Sequence, residues 1–171
     1  MRDALLVLAA LGCGCATNGG AGPGGDDDGG CSELADACGG ETICIAGQCE
    51  AAFPRVYSIT NVNVTVPTKN PNNGQDWDVG GGAPDLYLGD HTGAKLSNVV
   101  EDSFSASFAG PLDFSLIAGG TLELDVWDED LTSNDPGFGC IANPITAAQL
   151  RARSFSCTTS GASLTSTINP K

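Results

Sequence analysis

The chain has 171 residues, enough for one ordinary domain with small appendages but not for two large domains. Acidic residues outnumber Lys and Arg by 21 to 7, which gives a formal net charge of −14. This balance disfavours nucleic acid and anionic membranes as partners, because both would be repelled, and it makes cations the natural partners.

The N-terminus has the features of an export signal. Arg2 and Asp3 form a short charged region after Met1, and residues 4–11 form an apolar run. The run is too short to span a bilayer as a mature helix and has the length of a signal-peptide core. The sequence therefore predicts an exported protein with residues 1–13 as its signal peptide.

The junction after this run, Leu11-Gly12-Cys13-Gly14-Cys15, resembles the lipobox at which bacterial lipoproteins are cleaved and acylated on cysteine. The resemblance implies acylation of Cys13, with Cys15 as a competing site. It also implies a lipid anchor in the bacterial cell envelope, at the outer membrane. A secreted protein without an anchor is the alternative.

Two short segments precede the main domain. Residues 14–30 are rich in glycine and carry three consecutive aspartates, which predicts a flexible linker. Residues 31–50 hold four cysteines and little apolar surface, so this small module needs covalent links. An exported context favours two disulfides over a zinc site, and the pairing is open. The four cysteines are Cys31, Cys38, Cys44 and Cys49.

From residue 55 to residue 171, apolar and polar residues alternate and are interrupted by Gly, Pro, Asn or Asp. This pattern is typical of an all-β, antiparallel sandwich or barrel. The clearest strand is predicted at residues 121–127, where Leu122, Leu124 and Val126 share one face. The other predicted strands are residues 57–64, 86–88, 104–108 and 163–168. The helical pattern is confined to residues 144–150, and Cys140 and Cys157 flank it as a predicted disulfide.

Two loops of this domain concentrate carboxylates. We call residues 72–85 loop one and residues 128–135 loop three. Calcium takes six to eight hard oxygen ligands at flexible geometry, and two Asp-rich loops at one end of a sandwich supply such ligands. The alternative is a pair of acidic, solvated turns that hold no ion.

The two loops are similar to those of C2 domains. Loop one has an aspartate, a glycine-containing stretch and then Asp85-Leu86-Tyr87-Leu88, and loop three contains Val126-Trp127-Asp128-Glu129-Asp130 followed by Asp135. The resemblance covers residues 55–171 and implies an antiparallel eight-stranded C2-like β-sandwich. It also implies a set of calcium ligands, with Asp76 and Ser133 as lesser candidates. The main set is Asp78, Asp85, Asp128, Asp130 and Asp135.

These features predict a calcium-binding module rather than an enzyme. His91 has no evident nucleophile or oxyanion site around it and is interpreted as an exposed turn residue.

Phospholipid is a weaker candidate partner because the bases form no run, and Trp77 and Phe138 are interpreted as packing residues rather than membrane-inserting tips. An envelope or extracellular protein is the other candidate partner. A calcium-independent, extracytoplasmic protein-interaction scaffold is the alternative function.

Overall fold

The computed structural model describes residues 30–33, 36–78, 80–130 and 134–171. The predicted signal peptide, Cys13, Cys15, nearly all of the linker and Ser133 lie outside these ranges. Within them, no helix is long and apolar enough to cross a membrane. The elements are β1 (Thr42–Ile45), β2 (Gln48–Ala51), β3 (Arg55–Thr65), β4 (Leu86–Gly89), β5 (Ser105–Phe108), β6 (Leu112–Leu116), β7 (Leu122–Asp128), β8 (Asp135–Ala142), α1 (Ala147–Arg151), β9 (Ser154–Thr159) and β10 (Ala162–Pro170).

Among the described residues, the eight strands β3 to β10 form an antiparallel sandwich. One sheet has the order β5-β3-β10-β9 with β6 also paired to β3, and the other has the order β4-β7-β8. The all-β class and the eight strands of the sandwich are as predicted. The alternation in β7 is also confirmed, because Leu122, Leu124 and Val126 are fully buried between the sheets. Each such side chain contributes roughly 1.5 to 3 kcal/mol of burial free energy.

One irregular residue allows the long strand β3 to pair with two partners on the same edge. Residues 55–59 pair with β6, and residues 62–65 pair with β5. Between these stretches, Asn61 has a φ of 52° and its amide donates to the carbonyl of Ala109. Asparagine is among the residues that tolerate this conformation, and the resulting bulge bends the strand around the core.

The helix is shorter than its predicted range and begins later. Thr146 caps it, because its hydroxyl accepts from the amide of Gln149 while the Gln149 side chain accepts from the amide of Thr146. This reciprocal capping box fixes the first helical residue at Ala147. Pro144 and Ile145 therefore lie before the helix, and Ile145 packs in the core.

The disulfides expected in the N-terminal module are present. Cys31 is bonded to Cys44 and Cys38 to Cys49, which selects one of the three pairings that the sequence left open. Cys44 lies on β1 and Cys49 on β2, and these two strands form a hairpin with Ala46 and Gly47 at its turn, both with positive φ. The two bonds thus fix a hairpin that is too short to be stable alone.

This module shares the core of the sandwich. Ile43 of the module and Ala52, which follows the module, are fully buried in the same cluster as the sandwich residues. Arg151 donates from Nη1 to the carbonyls of Gly40 at 2.9 Å and Thr42 at 2.8 Å. The module therefore closes the end of the sandwich at which β3 begins.

A third disulfide joins the two sheets of the sandwich by linking Cys140 on β8 to Cys157 on β9. We expect Cys140→Ser/Cys157→Ser to lower the free energy of unfolding by about 3 kcal/mol, because the bond restricts the unfolded chain. Urea denaturation at equilibrium measures this loss. An unchanged midpoint would contradict a stabilising role for the bond.

Candidate metal centre

The strand register brings the two acidic loops together at one end of the sandwich. In the three-stranded sheet, Asp128 at the end of β7 pairs with Leu86 at the start of β4 and with Asp135 at the start of β8. Along the chain, Asp85 directly precedes Leu86, and Asp130 lies two residues after Asp128. Antiparallel pairing alone therefore places residues from both loops side by side.

Three of the five predicted ligands converge. Carboxylate oxygens of Asp78, Asp128 and Asp130 all lie within 4.8 Å of one another. Oxygens that bind one calcium ion lie about 2.3 to 2.6 Å from it, so two of its ligand atoms are at most about 5 Å apart. One carboxylate from loop one and two from loop three can thus share a single ion.

Asp128 is the buried member of the cluster. Its side chain is 0% exposed, and its Oδ1 accepts from the amide of Asp85 at 2.7 Å. Its Oδ2 is also buried and has no hydrogen-bond partner among the described residues. A buried carboxylate oxygen without a partner is costly, and nearly all such oxygens in proteins are satisfied. A cation among the three carboxylates would satisfy it.

The electrostatics of the cluster oppose its ionisation. Burial, together with the neighbouring carboxylates, raises the pKa of Asp128 to about 6, although the hydrogen bond from the Asp85 amide lowers it. The pKa of Asp78 and that of Asp130 are raised as well, first by burial and then by nearby acidic groups. The cluster is therefore arranged for a bound positive charge rather than for three free negative charges.

Asp85 and Asp135 border the cluster. Asp85 Oδ1 accepts from the amide of Asp102 at 2.8 Å, and its carbonyl accepts from the amide of Glu129 at 2.9 Å. The charge of Asp85 contributes to the raised pKa of Asp78, and the charge of Asp135 to that of Asp130. Asp85 thus acts on all three converging carboxylates and Asp135 on that of Asp130, but their own oxygens are not among the gathered atoms.

Of the two lesser candidates, Asp76 does not join the cluster. Asp76 is exposed and forms an ion pair with Lys69, while Ser133 lies outside the described residues. Within the described part of loop one, Asp78 is thus the residue whose carboxylate joins those of Asp128 and Asp130. Gly82 makes room for it, because a Cβ at this position would lie 2.7 Å from Asp78 Oδ2.

Trp77 anchors loop one to the sandwich. Its side chain is 3% exposed, and its Nε1 donates to the carbonyl of Pro67 at 2.8 Å. The ring covers Gly137 of β8, where a Cβ would approach it to 3.0 Å. Phe138 is buried too. Both aromatic residues pack on the domain, in agreement with the interpretation preferred from the sequence.

His91 lies in an exposed turn, as predicted from the sequence. The adjacent Asp90 uses Oδ1 to accept from the amides of Thr92 at 2.8 Å and Ala94 at 3.1 Å. The Thr92 hydroxyl donates to the same oxygen at 2.6 Å. This bond first, and then the two amide bonds, lower the pKa of Asp90, and together they stabilise the turn. The aspartate therefore has a local structural role, and its bonds are directed at its own loop rather than at the histidine.

No protein-family model matches the sequence, and no curated protein matches it. Solved structures with a similar fold include one described as a C2 domain, with a TM-score of 0.48 and 16% identity over 68% of this chain and 98% of that chain. A structure of extended-synaptotagmin 2 that comprises two of its C2 domains has a TM-score of 0.49 and 16% identity over 71% of this chain and 43% of that chain. Human GIVD cytosolic phospholipase A2 in complex with methyl gamma-linolenyl fluorophosphonate has a TM-score of 0.48 and 18% identity over 67% of this chain and 16% of that chain.

The antiparallel eight-stranded sandwich that the sequence predicts is established by the strand pairing of this chain itself. The chain spans less than half the length of the last two proteins, at 43% and 16%. What those proteins bind or catalyse is therefore not assigned to this chain. Together, the fold and the site define a β-sandwich protein with a cluster of carboxylates at one end.

Proposed function

We propose that the protein is a non-enzymatic calcium-binding module in which Asp78, Asp128 and Asp130 hold the ion. The observation that carries the proposal is the fully buried Asp128, whose Oδ2 has no hydrogen-bond partner among the described residues and belongs to a cluster of three carboxylates. A buried charge of this kind is tolerated when a counter-charge is supplied.

Calcium suits this cluster better than other biological cations. The three gathered ligands are all carboxylates, which are hard oxygen donors, whereas zinc and copper sites favour imidazole or thiolate ligands. Magnesium requires near-ideal octahedral geometry and keeps several waters, while calcium accepts irregular arrangements of more ligands. Asp85 and Asp135 border the site and are the candidates to complete the coordination.

The export signal and lipid anchor predicted from the sequence would locate this module at a bacterial cell envelope. Extracellular calcium modules commonly bind in the range of about 0.1 to 1 mM, which is a suitable affinity for that location. Occupancy would rigidify the loop end of the sandwich, since it removes the mutual repulsion of the carboxylates. We therefore assign the module a calcium-dependent binding or structural role, with an envelope or extracellular protein as its partner.

Calcium titration of the full chain tests this function. After treatment with chelator, calcium at one hundred times its dissociation constant should stabilise the fold by about 2.7 kcal/mol. For a chain of this size, that gain corresponds to an increase in melting temperature of roughly 5 to 10 °C. Calorimetric titration gives the affinity, and magnesium at equal concentration is the control. Without any shift up to tens of millimolar calcium, the calcium-independent scaffold becomes the better description.

A further inference from the structure

Loop three is attached near both of its ends to β4 and the turn that follows β4. Glu129, next to Asp130, forms an ion pair with Lys95. Asn134, at the other end of the loop, donates from Nδ2 to the hydroxyl of Tyr87 at 3.0 Å. Through these two contacts, the outer face of the three-stranded sheet, which is the face opposite the core, holds the segment that carries Asp130.

Tyr87 is the centre of this attachment. Its side chain is fully buried, although it lies outside the apolar core cluster. The ring stacks on Trp127 with centroids 6.5 Å apart, and Lys95 Nζ lies 5.2 Å from its centroid. The hydroxyl donates to the carbonyl of Gly93 at 3.1 Å while it accepts from Asn134. Packing on Trp127 thus fixes the ring, and the ring fixes the point to which loop three is bound.

The register explains why this attachment acts on the acidic cluster. Tyr87 pairs with Trp127, one residue from the pair formed by Leu86 and Asp128. In the calcium-free protein, three neighbouring carboxylates repel one another, and this repulsion favours movement of Asp130 away from Asp78. A hydrogen bond at the far end of the loop opposes that movement.

We propose that Tyr87 and Asn134 are positioning residues for the metal centre, which hold loop three so that Asp130 faces Asp78 and Asp128 before the ion arrives. This inference rests on the proposed calcium-binding function. Preorganisation increases affinity because the ordering of the loop is completed before binding. The Lys95 and Glu129 side chains are more than a third exposed, so their pair contributes less, and the test is made on Tyr87 and Asn134.

The second tyrosine provides a matched control. Tyr57 is also fully buried, and its hydroxyl donates to the carbonyl of Ala52 at 2.8 Å. It lies near the start of β3, at the end of the sandwich where the disulfide module packs. Tyr57→Phe and Tyr87→Phe therefore both remove one buried hydroxyl, but Tyr87→Phe alone removes a contact to loop three.

The experiment measures calcium affinity by calorimetry on the full chain and its variants. Removal of one such hydrogen bond is expected to weaken calcium binding about fivefold in Tyr87→Phe. Asn134→Ala, at an exposed position, should have a similar effect even if Tyr87→Phe folds poorly. The double variant should lose little more than either single one, because both changes break the same bond. Tyr57→Phe should leave the dissociation constant within about twofold.

Hydrogen exchange without calcium supplies a readout that is independent of the ion. Tyr87→Phe and Asn134→Ala should accelerate exchange at residues 129–130 and 134–135, and Tyr57→Phe should not. If the wild type binds calcium but both loop variants bind equally well, or if Tyr57→Phe weakens binding as much, the positioning role is wrong while the calcium site stands. If the wild type binds no calcium, the proposed function is wrong, and the positioning role in calcium binding fails with it.

Discussion

Asp128→Asn is expected to stabilise the calcium-free protein and to abolish its response to calcium. At pH 7 the native state holds this carboxylate ionised although burial raises its pKa to about 6. Against a usual value of 3.8, the shift corresponds to about 2 to 3 kcal/mol of destabilisation. The amide can keep the acceptor role toward the Asp85 amide while it removes the repelling charge. Thermal unfolding with and without calcium measures both effects.

Two further variants make this result specific. Asp130→Asn should also remove most of the calcium response, but it should stabilise the calcium-free protein less, because Asp130 is less buried. Asp113→Asn should leave the calcium response intact and should not stabilise the protein. Asp113 accepts from Lys171 and from Ser58, and these partners, Lys171 first, lower its pKa. A full calcium response in Asp128→Asn would contradict the assignment of the buried carboxylate as a ligand.

The strands that the sequence predicted are those with uninterrupted alternation, and β7 is the clearest example. The segment that forms β8 contains Pro136, Gly137 and Gly139, which are poor strand formers, so the sequence pattern predicts no strand there. The glycines are required there because Trp77 covers one and the Asp125 carboxylate the other. The strand is thus specified by side chains from distant elements, which a local pattern does not reveal.

The same distinction applies to the candidate site. Asp78, Asp128 and Asp130 could be proposed from the sequence because the two Asp-rich loops resemble those of C2 domains, which also implied Asp85 and Asp135. The contact between Tyr87 and Asn134 could not, since it depends on which residues of β4 and β7 are paired. The burial of Asp128 could not be predicted from the sequence pattern either. It follows from the position of Asp128 on the inward-facing side of β7, in register with Leu124 and Val126.

Asp125 adds a second carboxylate whose charge opposes folding. It lies on the outward-facing side of β7, where its Oδ1 is buried without a hydrogen-bond partner among the described residues. Burial raises its pKa to about 6, the Glu123 and Asp90 charges add to the effect, and His91 opposes it. A Cβ on Gly139 would lie only 2.7 Å from this oxygen, so the glycine permits its position.

The calcium-free protein is therefore expected to be more stable at pH 5 than at pH 7. For a carboxyl group whose pKa is higher in the native than in the unfolded state, the native state binds more protons between the two values. Stability then falls as pH rises from about 4 to about 6 and changes little above pH 7. The pKa values of Asp128 and Asp125 are both raised to about 6. The free energy of unfolding lost between about pH 4 and pH 7 is therefore on the order of 3 kcal/mol, after allowance for the partial exposure of Asp125.

Saturating calcium should reverse this trend, because the ion binds ionised carboxylates and competes with protons at Asp128. Chemical denaturation at pH 5, 6 and 7, with chelator or with calcium, measures both profiles. Asp125→Asn should reduce the pH dependence of stability measured with chelator and leave the stabilisation by calcium unchanged. Asp128→Asn should also reduce this pH dependence, and it should abolish the stabilisation by calcium. If the stability of the calcium-free protein instead rises from pH 5 to pH 7, the two buried carboxylates do not oppose folding, and the electrostatic basis for a cation at Asp128 is lost.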